Sequence, residues 1–228
     1  MKRSRNLAYV LAGIEGAFVA LGAFLTPFFR ARRNRWGLSQ AEADRPYPAD
    51  EFVINPRWSF THGIHISAPA EAVWPWVVQI GQDKGGFYSY ELLENLVGCQ
   101  MVNADRIVPE WQELHVGDTF KVHPEAGIPI ALVEPGRSFA ARMAMNLDTE
   151  EIFDPAQGLP EKYMNLCWLF YVEPLEDGSS RFISHWQVEY TPSLKGYLMF
   201  GPLIIEPVAF TMDRKMLLGV KQRAEAAA

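Results

Sequence analysis

Cysteine is scarce in this chain: Cys99 and Cys167 are the only two in 228 residues, and neither stands in a CxxC or CxxH pattern. Two cysteines cannot build a disulfide framework, and this spacing gives no zinc cluster. Two reduced, buried thiols are expected, with a single Cys99–Cys167 bridge left open. G-x-S-x-G, P-loop and dinucleotide-binding fingerprints are also missing, which removes the usual signatures of esterase chemistry and nucleotide binding. Charge is missing from one long run. Residues 7–29, LAYVLAGIEGAFVALGAFLTPFF, carry Glu15 alone.

As a helix that run reaches roughly 34 Å, enough for a hydrocarbon layer of ~30 Å. Its Leu, Ile, Val and Phe residues contribute about −3 to −7 kcal/mol of insertion energy, against about +2.5 to +3.5 kcal/mol for one charge near the centre. A single-pass N-terminal membrane anchor is therefore expected, with the lipid bilayer as a partner. Ala8, Ala12, Gly16 and Ala20 fall four apart, a stripe that would let a second copy approach closely as a homo-oligomer. A cleaved signal peptide is the rival reading, with Ala20-Leu21-Gly22 as the small-x-small site. The run ends in Arg30, Arg32, Arg33 and Arg35, as stop-transfer segments do. This cluster slightly outweighs Lys2, Arg3 and Arg5 upstream and favours a cytoplasmic domain.

Beyond the run the charge changes sign. Residues 1–35 carry +6 and the remainder −12. An acidic body is repelled by phosphate backbones, so no nucleic-acid partner is expected. With 49% hydrophobic residues the chain can bury a real core.

Three parts follow: an anchor with basic flanks (1–35), a linker holding Pro46, Pro48 and Pro56 (36–57), and a folded domain (58–228). Within the domain, WSFTHGIHI alternates as a first strand, with Phe60, His62, Ile64 and Ile66 on one side. Two helical stretches follow, the first with Val73, Val77 and Ile80 on one face and an awkward Pro75. Strand-like segments are expected at 119–123, 128–133, 138–145, 164–173 and 181–190, and a helix over 206–226. The class is α+β: a curved antiparallel sheet covered by a long C-terminal helix, with a cavity between them.

Four stretches carry a resemblance: ISAPAEAVWPWVVQIG, GGFYSYELLENL, ADRIVPEWQELHVGD and FTMDRKMLLGVKQRAE. Together they resemble the START/Bet v1-like (SRPBCC) superfamily of helix-grip folds, which includes polyketide cyclases and lipid-transfer proteins, some with an N-terminal membrane segment. The resemblance runs from about Trp36 to Glu225. It implies a pocket between the concave sheet face and the last helix, but no fixed catalytic set, since one architecture serves binding, transfer and cyclisation.

On that reading the ligand-binding candidates are Phe87, Tyr88, Met143, Trp168, Phe170, Trp186, Tyr190 and Met212, an aromatic and Met-rich surface suited to a hydrophobic small molecule such as a lipid or polyketide. Gly85-Gly86 makes 82–90 a mobile gate beside Phe87 and Tyr88; a plain helix–helix turn is the alternative. Glu91, Asp105 and Glu110 are the acid–base candidates, the loop pair Asp105 and Arg106 serving equally well as a surface salt bridge. His62 and His65 point to opposite faces and suit no shared metal; no metal and no cofactor is expected. Three functions stay open: binding or transfer of a hydrophobic molecule, to which the reading leans; a cyclase- or dehydratase-type enzyme on the same pocket; and a non-enzymatic membrane interaction module.

Overall fold

A computed structural model of the chain describes residues 2–227. Its centre is a curved six-stranded antiparallel sheet: β1 (Trp58–Ile66), β2 (Thr119–His123), β3 (Ala126–Glu134), β4 (Ser138–Asn146), β5 (Tyr163–Pro174) and β6 (Ser180–Tyr190). The spatial order β1-β6-β5-β4-β3-β2 brings the first strand beside the last. Alternation of side chains fixes which face is buried, because a one-residue slip would turn every apolar side chain outward. The register sets Phe60 opposite Trp186, Trp168 opposite Trp186 and Phe139 opposite Phe170.

The helices are α1 (Lys2–Leu25), α2 (Arg30–Arg33), α3 (Gln40–Asp44), α4 (Ala70–Val78), α5 (Glu91–Leu96), α6 (Leu194–Phe200) and α7 (Pro202–Ala227). Pro75 does not break α4, which runs on to Val78. The last helix starts four residues earlier than its hydrophobic pattern suggests, on Pro202, and carries Pro207 inside. Proline suits a first helical position, where the missing N–H has no partner to lose. Ser193 caps α6, an element absent from the pattern reading, by accepting the Gly196 N–H. Met216, Leu217 and Val220 of α7 are buried against the sheet, each contributing roughly 1.5–3 kcal/mol. Together α4 and α7 cover the concave face.

Residues 36–57, expected to be an extended connector, instead strap the convex face. That face is itself apolar, with Ala140, Cys167, Leu169, Tyr171 and Ile183, and it buries Tyr47, Ala49 and Val53 of the strap. A two-sided apolar sheet needs cover on both sides. A capping box between Ser39 and Glu42 starts α3, and Arg45 holds Glu173 through two hydrogen bonds of 2.8 and 2.7 Å. Where the strap begins, the chain covers the free edge of β1: Thr61 and Gly63 donate to the carbonyls of Asn34 and Trp36. An exposed edge would otherwise invite pairing with another chain.

The N-terminal helix is not detached from the domain. It packs along α7 and against α5, with Gly16 buried on Tyr90 and Leu93 and Gly13 on Leu92. This corrects the reading of Ala8, Ala12, Gly16 and Ala20 as a face for a second copy. Gly16 is spent within the chain, Ala12 and Ala20 are half-buried, and only Ala8 is exposed. Both cysteines are free thiols.

Candidate functional site

The concave face presents Phe60, His62 and Ile64 from β1, Phe139, Ala141, Met143 and Met145 from β4, Trp168 and Phe170 from β5, and Phe182, Ser184, Trp186 and Tyr190 from β6. Its deep part is not hollow, contrary to expectation. Phe87 stacks on Trp168 at 5.8 Å, and Trp168 meets Phe170 at 4.6 Å and Trp186 at 4.5 Å. Around it some side chains are only partly buried, among them Trp186, Met143, Met145, Phe200 and Ile205. Among the described residues, two surface concavities lie away from His62, one of them reaching Tyr190. One of about 440 Å³ is lined by Arg57, Tyr163, Glu189 and Tyr190, the other of about 500 Å³ by Arg32, Arg35 and Trp36, and His62 lines neither.

A polar chain crosses this aromatic interior. Trp168 Nε1 donates to Ser184 Oγ (2.9 Å), and Ser184 donates to Asp213 Oδ1 (2.6 Å). Asp213 Oδ2 lies 2.5 Å from His62 Nδ1. All four residues are buried. Indole N–H can only donate, which orders the Trp168–Ser184–Asp213 bonds, and with Asp213 as a carboxylate the last donor is His62. Ser184 therefore accepts from Trp168 and gives its own proton to Asp213, whose carboxylate accepts on both oxygens. His62 Nδ1 must then carry a hydrogen, so Nε2 is the free ring atom. Among the described residues His62 Nε2 has no hydrogen-bond partner, and neither has Trp186 Nε1. The imidazole is held between Phe60, stacked at 4.2 Å, and the edge of Phe210 at 5.5 Å. Because Ser184 bonds to Asp213 and not to His62, the set is no activated serine nucleophile. It is a histidine oriented by a buried carboxylate.

None of the polar candidates read from the sequence belongs to this set. Glu91 accepts the Asn103 N–H at 2.6 Å, while Asp105 and Glu110 are exposed on the surface. They form no common site. The loop 82–90, read from the sequence as a gate, is largely packed into the domain in this structure. Gly85 through Tyr90 are buried, and the Tyr88 hydroxyl accepts from Gln79 and donates to the Trp76 carbonyl. The Tyr88 ring lies under Arg223, 4.5 Å away, and burial pushes its phenol up to about 12. Met212 does not face Trp168; its sulfur lies 3.8 Å from the Ser89 hydroxyl. Asp213, one position on, turns inward. On the convex face, His185 bonds Thr61 at 2.8 Å, lies 3.2 Å from Asp50 and stacks under Tyr47.

Sequence reasoning missed His62–Asp213 because a hydropathy pattern has no mark for a charged residue in a buried helical position. The available signal was the placement of His62 on the apolar side of the first strand.

Glu94 is a second buried acid. Burial first, and the Glu91 charge second, raise its carboxyl to about 7. In the folded chain it keeps its proton up to that pH, whereas an unfolded carboxyl ionises near its ordinary value. The folded state therefore binds the extra proton, and stability falls as pH rises from about 4.5 to about 7, by up to roughly 3 kcal/mol. Glu94→Gln should remove this slope. Urea midpoints at pH 5 and pH 8 should differ for the parent chain and converge for the variant.

The sheet order, the first strand beside the last, and the long terminal helix seated on the concave face define an α+β helix-grip fold. No family model and no curated protein matches the chain. Among solved structures it is similar to a polyketide-cyclase-like protein of Corynebacterium glutamicum, with 21% identity over 74% of this chain and 92% of the other and a TM-score of 0.37. An aromatase/cyclase from a Streptomyces species is 14% identical over 74% of this chain and 93% of its own, with a TM-score of 0.32. A conserved protein of Geobacillus kaustophilus is 11% identical over 75% of this chain and 97% of its own, with a TM-score of 0.41. Likenesses of this size carry no argument about activity.

Proposed function

We propose that this chain binds a hydrophobic small molecule bearing one hydrogen-bonding group, on the concave face of its grip at His62 and at a membrane to which α1 attaches. The observation that carries the reading is His62 Nε2. It is a buried polar atom on an apolar, aromatic face, oriented by Asp213 and without a partner among the described residues. Burying such an atom unpaired costs about 1–3 kcal/mol, a deficit that a ligand's polar group would offset. Trp186, partly buried on the neighbouring strand opposite Phe60, adds a broad ring and a second unpartnered indole N–H to the same face. A lipid or polyketide-like molecule has this mixed character.

The second reading, an enzyme of cyclase or dehydratase type, is favoured by the same pair, since a carboxylate-oriented imidazole is the arrangement of a general base. His62→Asn separates Nε2 from the rest. Its side-chain amide can still donate to Asp213 near the place of Nδ1, while the Nε2 position is lost. Quenching of tryptophan fluorescence by a membrane lipid extract should weaken at least tenfold in this variant, with little change in Tm. Equal quenching in both proteins would count against the site. Turnover abolished with binding retained would favour the enzyme.

A further inference from the structure

We infer that α1 lies in the plane of an anionic bilayer's surface, with the domain on its back, and does not cross the bilayer. The inference rests on the membrane attachment proposed above and specifies its geometry. Leu7, Leu11, Ile14, Phe18, Leu21 and Leu25 recur at alternating spacings of four and three, and are 47–70% exposed. The opposite side, with Gly13, Gly16 and Ala23, is buried. A helix packed on a water-soluble body normally does the reverse, with large apolar residues inward and small or polar ones outward. Here the large side chains are turned away from the domain, as on a lipid-facing helix. The apolar face continues past the helix in Phe28 and Phe29. Beside its end, where Arg30 holds Glu206, α6 and the start of α7 expose Leu198, Met199 and Leu203.

Glu15 argues against a span. Midway along α1, its carboxylate turns inward to Lys215 Nζ (3.2 Å), the Tyr90 hydroxyl (3.2 Å) and Arg214 Nη1 (3.9 Å). Crossing the bilayer with these contacts intact would carry Arg214 and Lys215 into hydrocarbon, at about 2.5–3.5 kcal/mol each near the centre. Crossing without them would strand Glu15 and uncover Gly13 and Gly16. An in-plane helix avoids both outcomes and sinks only its outer face, about 5–10 Å deep.

Charge selects lipid over a second copy of the chain. The run is flanked by Lys2, Arg3 and Arg5 before it and by Arg30, Arg32, Arg33 and Arg35 after it. Parallel or antiparallel, two copies would bring basic ends together, whereas anionic headgroups match both ends.

The test uses the full chain bearing C99A and C167A, with one nitroxide at a time placed by Leu7→Cys, Phe18→Cys or Leu25→Cys. The protein is floated with phosphatidylcholine vesicles with and without phosphatidylglycerol. The in-plane geometry predicts at least tenfold stronger binding with phosphatidylglycerol, and similar shallow depths at all three positions, within ~10 Å of the headgroups. Phe18 at the bilayer centre, ~15 Å down, with Leu7 and Leu25 near opposite faces would overturn it in favour of a span. Spin–spin coupling between labels on different molecules, with no lipid depth, would overturn it in favour of self-association. Failure to float with either vesicle would defeat the membrane attachment itself.

Discussion

Asp213→Ala should destabilise the fold by about 3–5 kcal/mol, the usual consequence of removing one partner from a buried charged or hydrogen-bonded pair. The reason is local. His62 Nδ1 and the Ser184 hydroxyl both donate to this carboxylate, and both are buried. Truncation leaves two donors facing a cavity. Asp213→Asn separates stability from orientation. Its carbonyl can still accept from Ser184, but its amide N–H would face His62 Nδ1, which must then become the acceptor. The hydrogen moves to Nε2, and the free atom of the site changes from acceptor to donor. Nitrogen-15 shifts of the His62 ring should show the tautomer inverting, while urea denaturation should show a smaller loss than for Ala. An unchanged ring spectrum in Asp213→Asn would mean that Asp213 does not set the imidazole.

Gly219→Ala should cost about 3 kcal/mol or more, at the upper end of overpacking effects. A β-carbon there would stand 2.3 Å from the Tyr88 carbonyl oxygen and 2.7 Å from Tyr88 Cβ. Tyr88 cannot easily give way. It holds a left-handed backbone (φ +54°), its N–H is bonded to Asn103, and its hydroxyl is bonded to Gln79 and Trp76. The strain therefore passes to α7, which must lift from the loop and take Asp213 with it. Loss of lipid-extract binding should accompany the loss of stability. Gly22→Ala is the control, because a β-carbon there meets nothing within 4 Å; its stability should stay within about 1 kcal/mol of the parent. If Gly219→Ala behaved like the control, the seating of α7 on Tyr88 would not matter to the grip.

These two positions also show where the amino-acid pattern is informative. Strand alternation is readable by parity: Phe60, Trp168, Phe170 and Trp186 fall on the concave side, even though β5 and β6 bury their convex side as well. The convex strap was not readable. Pro46, Pro48 and Pro56 suggest a free connector, yet a segment of turns and short helical pieces can still bury Tyr47, Ala49 and Val53. The docking of α1 was hidden for another reason. Hydropathy measures how apolar a helix is but does not say which side is lipid-facing, and Gly13 and Gly16 count as neutral whether they meet Leu92 and Leu93 or a second copy. The polar heart of the site was the least visible. His62, Ser184 and Asp213 are 122 and 29 residues apart in pairs along the chain, and only the strand order brings them together. Glu91, Asp105 and Glu110 drew notice as neighbouring acids in sequence, and they do not meet.

Native mass spectrometry of the gently detergent-extracted full chain, run beside His62→Asn, tests the grip most directly. The parent chain should carry an added mass that partitions into organic solvent as an apolar small molecule, and the variant should run at the bare chain mass. A parent chain with no added mass, or the same added mass on both proteins, would contradict a ligand held at His62.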